Sequence, residues 1–153
     1  MHYLELKIPP AGLVLLFAAA MWLTAQTNSW AMVQIPGEEW VAIALSMLGC
    51  TLIIVAAIQF ISARTTVNPL TPESATEIVT QGIYKLSRNP MYVGFLVMLV
   101  AWGVFLENIL SLLLLPLFVL YLNRFQIMPE EKALLTKFGD GYGQYLKSVR
   151  RWV

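Results

Sequence analysis

The sequence predicts an all-α, polytopic membrane protein with about four transmembrane helices and a cytoplasmic, amphipathic C-terminal helical segment. Apolar residues make up 58% of the chain and charged residues only 12%, whereas a soluble domain usually carries about 25% charged residues. The apolar residues are concentrated in four stretches, and no Lys or Arg lies in the middle of one. The 153 residues are enough for a single domain, which we place at 1–153.

The first predicted span covers residues 8–25. Its eighteen residues fall within the range of about 17–25 that a spanning helix needs. Pro9 and Pro10 suit a first helical turn, where the missing N–H is no loss. A cleaved signal peptide is the alternative, but the first seven residues carry one Lys and one Glu, and no small-x-small cleavage site follows. This favours a retained helix.

The second predicted span, 41–63, is the clearest, because it holds twenty-three residues without a charge. The loop before it has Trp30 and Trp40 near its ends, and tryptophan at such positions is typical of a membrane interface. A long polar segment follows. Residues 65–69 are predicted to be extended, since a residue before proline avoids helical geometry, and residues 71–73 to form a short helix or turn.

The third and fourth predicted spans, 90–106 and 109–127, form a helical hairpin with its tip at Glu107 and Asn108. Asn89 is a suitable N-cap and Pro90 a suitable first helical residue. Pro116 is expected to kink the second arm, because proline removes a backbone hydrogen bond. Both arms are short for a full span.

The remaining C-terminal segment, 128–153, is amphipathic and basic. Residues 129–138 are predicted to form a helix that stops at Gly139, followed by a turn at residues 140–141. Apolar and aromatic residues then recur at steps of three and four, which gives a single face: Tyr142, Tyr145, Leu146, Val149 and Trp152. Such a face can lie on a bilayer surface or pack against the helices.

The distribution of charge predicts the topology. With four spans, all ten basic residues fall on the side that holds both termini and the loop 64–89. The charged residues of the other side are all acidic: Glu38, Glu39 and Glu107. By the positive-inside rule both termini are cytoplasmic, as expected for a bacterial inner-membrane protein. No nucleic-acid partner is expected.

Several classes of function are disfavoured by composition. Cys50 and His2 are the only residues of their types, which argues against a disulfide or a metal site built on Cys or His. No charged residue lies in the middle of a predicted span, whereas ion-coupled transporters usually carry one.

The polar residues instead form two clusters, at 82–94 and 129–131, next to the cytoplasmic ends of the last three spans. Both have a purely structural explanation. Asn89 can cap a helix, Tyr92 can anchor it at the interface, and Glu130 and Glu131 can offset a helix dipole. The alternative is that the clusters close one site at the membrane surface, open to a soluble cofactor and a lipophilic substrate.

An ordered set of short motifs favours the functional interpretation. It consists of Thr66-Val67-Asn68-Pro69, Val79 to Tyr84, Ser87-Arg88-Asn89-Pro90-Met91-Tyr92-Val93-Gly94, Glu130-Glu131-x-x-Leu134, Phe138-Gly139-x-x-Tyr142-x-x-Tyr145 and Val149-Arg150-Arg151-Trp152. In this order the motifs resemble the isoprenylcysteine carboxyl methyltransferase family and, more widely, the phospholipid methyltransferases of membranes. The resemblance covers about residues 64–153.

The resemblance implies a methyltransferase that uses S-adenosylmethionine, held at the cytoplasmic face between the last helices and the C-terminal segment. Carried over, it assigns catalytic roles to Arg88 and Glu131. It assigns cofactor contacts to Gly82, Tyr84, Arg88, Asn89, Tyr92, Glu130, Glu131 and Tyr142. The chemistry agrees: carboxylates can accept from an ammonium group or ribose hydroxyls, the Arg88 fork can bind a carboxylate, and tyrosine rings can cover an adenine or a sulfonium.

Methyl transfer needs positioning and exclusion of water more than a strong acid or base. An amine or thiol acceptor would still need to lose a proton, to Glu130, Glu131, a tyrosine or water. Well-known family members carry His where this chain has Asn89, so the acceptor stays open among lipophilic carboxylates, amines and thiols. An NADPH-dependent membrane reductase and a non-enzymatic membrane module are the alternatives, and self-association is possible.

Overall fold

The computed structural model describes residues 5–63 and 70–153, and most of these are helical. The elements are α1 (Pro10–Thr27), α2 (Glu38–Ser62), α3 (Pro90–Phe105), α4 (Ile109–Leu112), α5 (Leu115–Tyr121), a π-helical turn (Leu122–Ile127), α6 (Met128–Phe138) and α7 (Asp140–Ser148). Short 3-10 turns cover Ser29–Ala31, Pro72–Ser74 and Gly82–Lys85. The predicted all-α, polytopic membrane fold is confirmed.

Three helical segments of the described chain are long and apolar enough to cross a membrane: α1, α2 and the run Ile109–Phe138, which comprises α4, α5, the π-helical turn and α6. The third predicted span, α3, is apolar but has only 16 residues. At 1.5 Å per residue it is about 24 Å long, which is shorter than the roughly 30 Å of a bilayer hydrocarbon core.

The short helix α3 is central to the bundle. It packs along α2 and also contacts α1, α4 and α5. A close approach of backbones joins α3 to α2, because a Cβ atom on Gly49 would lie 2.9 Å from the carbonyl oxygen of Gly94, and one on Gly94 would lie 2.8 Å from that of Gly49. Small residues at such a crossing allow the tight packing that membrane helices depend on.

The predicted hairpin tip is confirmed, and hydrogen bonds attach it to the loop between α1 and α2. The backbone N–H of Val33 donates to the Glu107 carbonyl at 2.7 Å, and Asn108 Nδ2 donates to the Asn28 carbonyl at 2.9 Å. Glu107 adopts a left-handed φ of 48°. These bonds fix the end of the bundle that is opposite to the polar clusters.

The second arm of the hairpin differs from the prediction. It is interrupted at Leu113–Leu114, ahead of Pro116, which then occupies the first turn of α5 and costs no hydrogen bond there. The chain also continues from the π-helical turn into α6 without a break, so the predicted boundary at 127–128 does not separate two elements.

The C-terminal segment begins as predicted and then departs from the prediction. Gly139 ends α6 with φ 57°, a left-handed value that favours glycine. Residues 140–141, predicted as a turn, start α7 instead, because Gly139 alone separates α6 from α7. The predicted short helix at 71–73 is present at Pro72–Ser74. The predicted extended segment 65–69 lies outside the described residues.

Candidate active site

The two polar clusters meet at one end of the bundle, where the start of α3, the start of α6, α7 and the 3-10 turn at 82–85 surround a cavity of about 80 Å³. Seven of the eight predicted site residues line it: Tyr84, Arg88, Asn89, Tyr92, Glu130, Glu131 and Tyr142. The segment 72–79 covers one side, with Pro72 and Ala75 buried. The two sequence clusters therefore line one cavity.

Glu131 binds two arginines at the edge of this cavity. Its Oε1 lies 2.8 Å from a terminal nitrogen of Arg88 and 3.1 Å from Nε of Arg151, and its Oε2 lies 2.5 Å from a terminal nitrogen of Arg151. The side chains of Arg88 and Glu131 are only 11% and 14% exposed. Both oxygens of Glu131 are thus engaged within the chain.

Arg88 also holds the C-terminal tail. Its second terminal nitrogen donates to the carbonyls of Leu146 at 2.7 Å and Val149 at 2.6 Å, and its backbone N–H donates to the Arg150 carbonyl at 3.0 Å. The fork that was expected to bind a cofactor carboxylate is therefore occupied by the protein itself. The remaining donor, Nε, is buried without a hydrogen-bond partner among the described residues.

Asn89 has a similar role. It is the N-cap residue of α3, as predicted, but its side chain makes no capping bond. Its Nδ2 instead donates to the Arg151 carbonyl at 2.9 Å, and the indole N–H of Trp152 donates to Asn123 Oδ1 at 3.0 Å. The tail is thereby tied down beyond the end of α7.

Glu130 is arranged differently from its neighbour. Its Oε2 accepts a hydrogen bond from the Tyr92 hydroxyl at 3.0 Å, and no other hydrogen bond to Glu130 occurs among the described residues. The Tyr92 hydroxyl also interacts with the side chain of Gln126, which is buried one turn before Glu130. Glu130 is therefore the carboxylate of the cavity that is held in place yet has an oxygen available for a ligand.

The π-helical turn explains why Gln126 is found beside this pair. Residues 122–127 form the turn, and such turns are inserted in helices frequently at functional sites. Gln126 and Glu130 are four residues apart, on one face, and both meet Tyr92. No sequence pattern marks Gln126, since a lone glutamine near the end of an apolar run has no distinguishing feature.

Three tyrosines complete the wall of the cavity. Tyr84 and Tyr142 are buried, and Tyr145 donates to the Tyr84 carbonyl at 2.7 Å. Burial raises the pKa of Tyr84 and of Tyr142, and the nearby glutamates add to the effect. Burial also raises the pKa of Tyr145 to about 12, although Arg88 acts in the opposite direction. These hydroxyls therefore stay protonated at neutral pH and serve as donors rather than bases.

Gly82 is the one predicted site residue that does not line the cavity. Its φ is 56°, and a Cβ atom there would collide with the amide of Gln59 on α2. With the Gln59 amide oriented to satisfy both of its atoms, its nitrogen donates to the Gln81 carbonyl at 3.0 Å and its oxygen accepts from the Ile83 N–H at 3.3 Å. The close backbone approach that was predicted for Gly82 is thus made to a helix of the protein, and it fixes the turn that carries Tyr84.

Other residues of the site were missed by the sequence reasoning. Phe60, Glu77 and Ile78 line the cavity, but they come from segments without a motif. Arg151 and Tyr145 did have a signal, since each belongs to one of the short motifs.

Comparisons with known proteins identify a family and two partial relatives of the chain. The model of the phospholipid methyltransferase family matches residues 38–141, about two thirds of the chain. An uncharacterized protein of Haemophilus influenzae is 46% identical over 63 residues, which are 41% of this chain and 100% of that protein. A protein-S-isoprenylcysteine O-methyltransferase of Schizosaccharomyces pombe is 40% identical over 72 residues, 47% of this chain but only 30% of the yeast protein. No solved structure matches the chain.

Proposed function

The chain belongs to the phospholipid methyltransferase family of membrane methyltransferases, and on that premise we propose that it transfers a methyl group from S-adenosylmethionine to a lipophilic acceptor. The observation that carries the proposal is the Tyr92–Glu130 pair, because it presents a positioned carboxylate to a cavity walled by aromatic rings. The proposal places the cavity at the cytoplasmic face of a bacterial inner membrane, with both termini cytoplasmic, on the support of the basic residues around it.

The residues of the cavity fit this cofactor. Glu130 suits the ammonium group or the ribose hydroxyls, and the rings of Tyr84 and Tyr142 suit an adenine or a positively charged sulfur. The unpartnered Nε of Arg88 suits the cofactor carboxylate, with one donor in place of the two that an open fork would offer. When bound, S-adenosylmethionine supplies a methyl group on a cationic sulfur.

The volume of the cavity requires a movement. About 80 Å³ is well below the roughly 300–1,000 Å³ of ordinary ligand pockets. Within the proposal, the segment 72–79 moves away from α6 to admit the cofactor. That segment is attached by contacts such as the bond from Lys137 Nζ to the Glu73 carbonyl at 2.5 Å, which is exposed to water and easily exchanged.

The roles of the two glutamates differ in this proposal. Glu131 is a positioning residue, since both its oxygens bind arginines that hold the tail over the site. Glu130 touches the ligands and accepts a proton from an acceptor that must lose one. The protonated tyrosines exclude water and donate hydrogen bonds.

The charges favour one kind of acceptor among carboxylates, amines and thiols. Glu130 brings a carboxyl group with an available oxygen to the cavity, and the positive charge of Arg88 is already paired with Glu131. A second carboxylate would be repelled, whereas an amine arrives with a compensating charge. We therefore rank a lipophilic amine first.

The test is a methyl-transfer assay with S-adenosylmethionine labelled on the methyl group and a bacterial lipid extract, using protein purified in detergent. The proposal expects label in the organic phase with the natural protein, loss of that label in Glu130→Gln, and no loss in Glu73→Gln, which removes an exposed carboxylate of the cover. Absence of transfer together with binding of NADPH would replace the proposal with a reductase. Binding of neither cofactor would favour a non-enzymatic module.

A further inference from the structure

One apolar stripe on α3 extends beyond the candidate active site. Its residues recur at steps of four and three, which places them on a single helical face: Met91, Phe95, Met98, Trp102 and Phe105. None of the five is buried, whereas Tyr92, Leu99 and Ala101 on the adjoining faces are. The stripe is therefore a surface of α3 that the neighbouring helices leave partly uncovered.

The far half of this stripe is the floor of a second cavity. The helices α1 and α2 both pack on α3 and leave between them a groove of about 680 Å³. Val14 and Ala18 form one wall and Ala42 and Ser46 the other. The lining is apolar apart from Ser46 and from Glu39 at the outer end of α2.

The two cavities share no lining residue, but both border the stripe. Met91 lines the polar cavity and Met98 lines the groove, and they are two helical turns apart, about 10 Å. Between them Phe95 is only partly buried and stacks at 6.5 Å on Tyr92, the tyrosine that holds Glu130. A hydrocarbon chain that followed the stripe from Met91 would have to cross the ring of Phe95 to reach the groove at Met98.

We propose that the groove binds the hydrocarbon chain of the methyl acceptor while its head group lies at Glu130; this deepens the proposed function and rests on it. From Met91 to Phe105 the stripe is about 21 Å long, whereas one leaflet of the hydrocarbon core is about 15 Å deep. The fitting acceptor is a single long chain rather than a two-chain lipid confined to one leaflet. Lipid tails are as apolar as the groove, so hydrophobicity alone does not favour binding there. The groove therefore distinguishes acceptor chains by their shape.

The probe for this proposal is octadecylamine with a photoactivatable diazirine at mid-chain, added to protein in lipid nanodiscs, with labelled positions mapped by mass spectrometry. We expect labels on groove residues of α1, α2 and α3. The control probe is octadecane with the same diazirine and no head group. Scattered labels, or equal groove labelling by both probes, would overturn the proposal, because they would show that the groove holds bulk lipid.

Variants of α2 separate the groove from the rest of the surface. Ser46→Phe fills the groove, and Met47→Trp adds bulk at a groove residue that is 66% exposed and tolerant of change. Leu48→Trp is the matched control, since Leu48 is exposed but does not line the groove. We expect loss of groove labelling in the first two variants and unchanged labelling in Leu48→Trp. Unchanged labelling in both groove variants would contradict the proposal.

Calorimetric titration of S-adenosylmethionine distinguishes a failure of the groove proposal from a failure of the proposed methyltransferase function. Both groove variants should bind the cofactor as the natural protein does, since none of the changed residues lines the polar cavity. If the natural protein binds no S-adenosylmethionine, the proposed function fails, and the labelling pattern still decides whether the groove accepts the amine chain.

Discussion

Arg88 and Glu131 form a nearly buried ion pair, with 2.8 Å between a terminal nitrogen of the arginine and Oε1 of the carboxylate. The pair joins the start of α3 to the start of α6, and Arg88 extends it to the carbonyls of Leu146 and Val149. Two residues that the sequence marks as site residues thus hold the C-terminal tail in place. The available carboxylate of the site is the neighbouring Glu130.

Arg88→Ala should destabilise the protein rather than only weaken ligand binding. Loss of one partner of a buried pair leaves the other charge uncompensated, which typically costs about 3–5 kcal/mol. The free energy of unfolding, measured in mixed detergent micelles, should fall by about 3 kcal/mol or more. Arg150→Ala is the control, because Arg150 is exposed. Equal stability of the two variants would show that Arg88 is not structural.

Tyr92→Phe should slow methyl transfer about tenfold without unfolding the protein, since a hydrogen bond to a charged group contributes about 1.5–3 kcal/mol. Its loss frees Glu130 to move. The matched control is Tyr121→Phe, because the Tyr121 hydroxyl is buried without a hydrogen-bond partner among the described residues. We expect Tyr121→Phe to keep its rate. A comparable loss in both variants would mean that the effect is one of packing.

Gln126→Met should also slow methyl transfer, by less than Tyr92→Phe, because it removes a partner of Tyr92 and keeps the volume of the side chain. A positioning role makes a further prediction that packing alone does not. In the double variant the two losses should be less than additive, since both act through Glu130. If the losses in the logarithm of the rate are strictly additive, Gln126 and Tyr92 do not act together on Glu130.

Gly82→Ala should destabilise the 3-10 turn that carries Tyr84. The left-handed φ of 56° and the collision of the new Cβ with Gln59 both oppose it, at a cost of about 1–3 kcal/mol for the strained backbone alone. Gly12→Ala on α1 is the control, because open space surrounds that position and alanine is the better helix former. Thermal unfolding of both variants checks the contrast. A stable Gly82→Ala would show that the turn is not held by this approach.

The apolar runs predicted most of the fold because a membrane leaves few alternatives: a backbone in lipid must satisfy its own hydrogen bonds. The predicted spans therefore agree with the helices within three residues at their starts. The interruption ahead of Pro116 and the start of α7 at residue 140 could not be predicted. They depend on packing and on one left-handed glycine rather than on hydropathy.

The site was predictable as a set of residues but not as a set of roles. Motifs identified Arg88, Glu130 and Glu131 together, yet two adjacent glutamates look alike in a sequence. Only the fold shows that one carboxylate meets two arginines while the other meets Tyr92. Gln126 was out of reach for the same reason, since its partner is 34 residues away along the chain and the contact depends on how α3 meets the π-helical turn.

The most direct test of the division between the two glutamates is calorimetric titration of S-adenosylmethionine into the natural protein, Glu130→Gln and Glu73→Gln, each first shown to unfold at the same temperature. We expect saturable binding by the natural protein and by Glu73→Gln, and binding weakened at least about tenfold in Glu130→Gln, as for the loss of a charged hydrogen-bond partner. Unaltered affinity in a folded Glu130→Gln would contradict the assignment of Glu130 as the carboxylate that receives the cofactor.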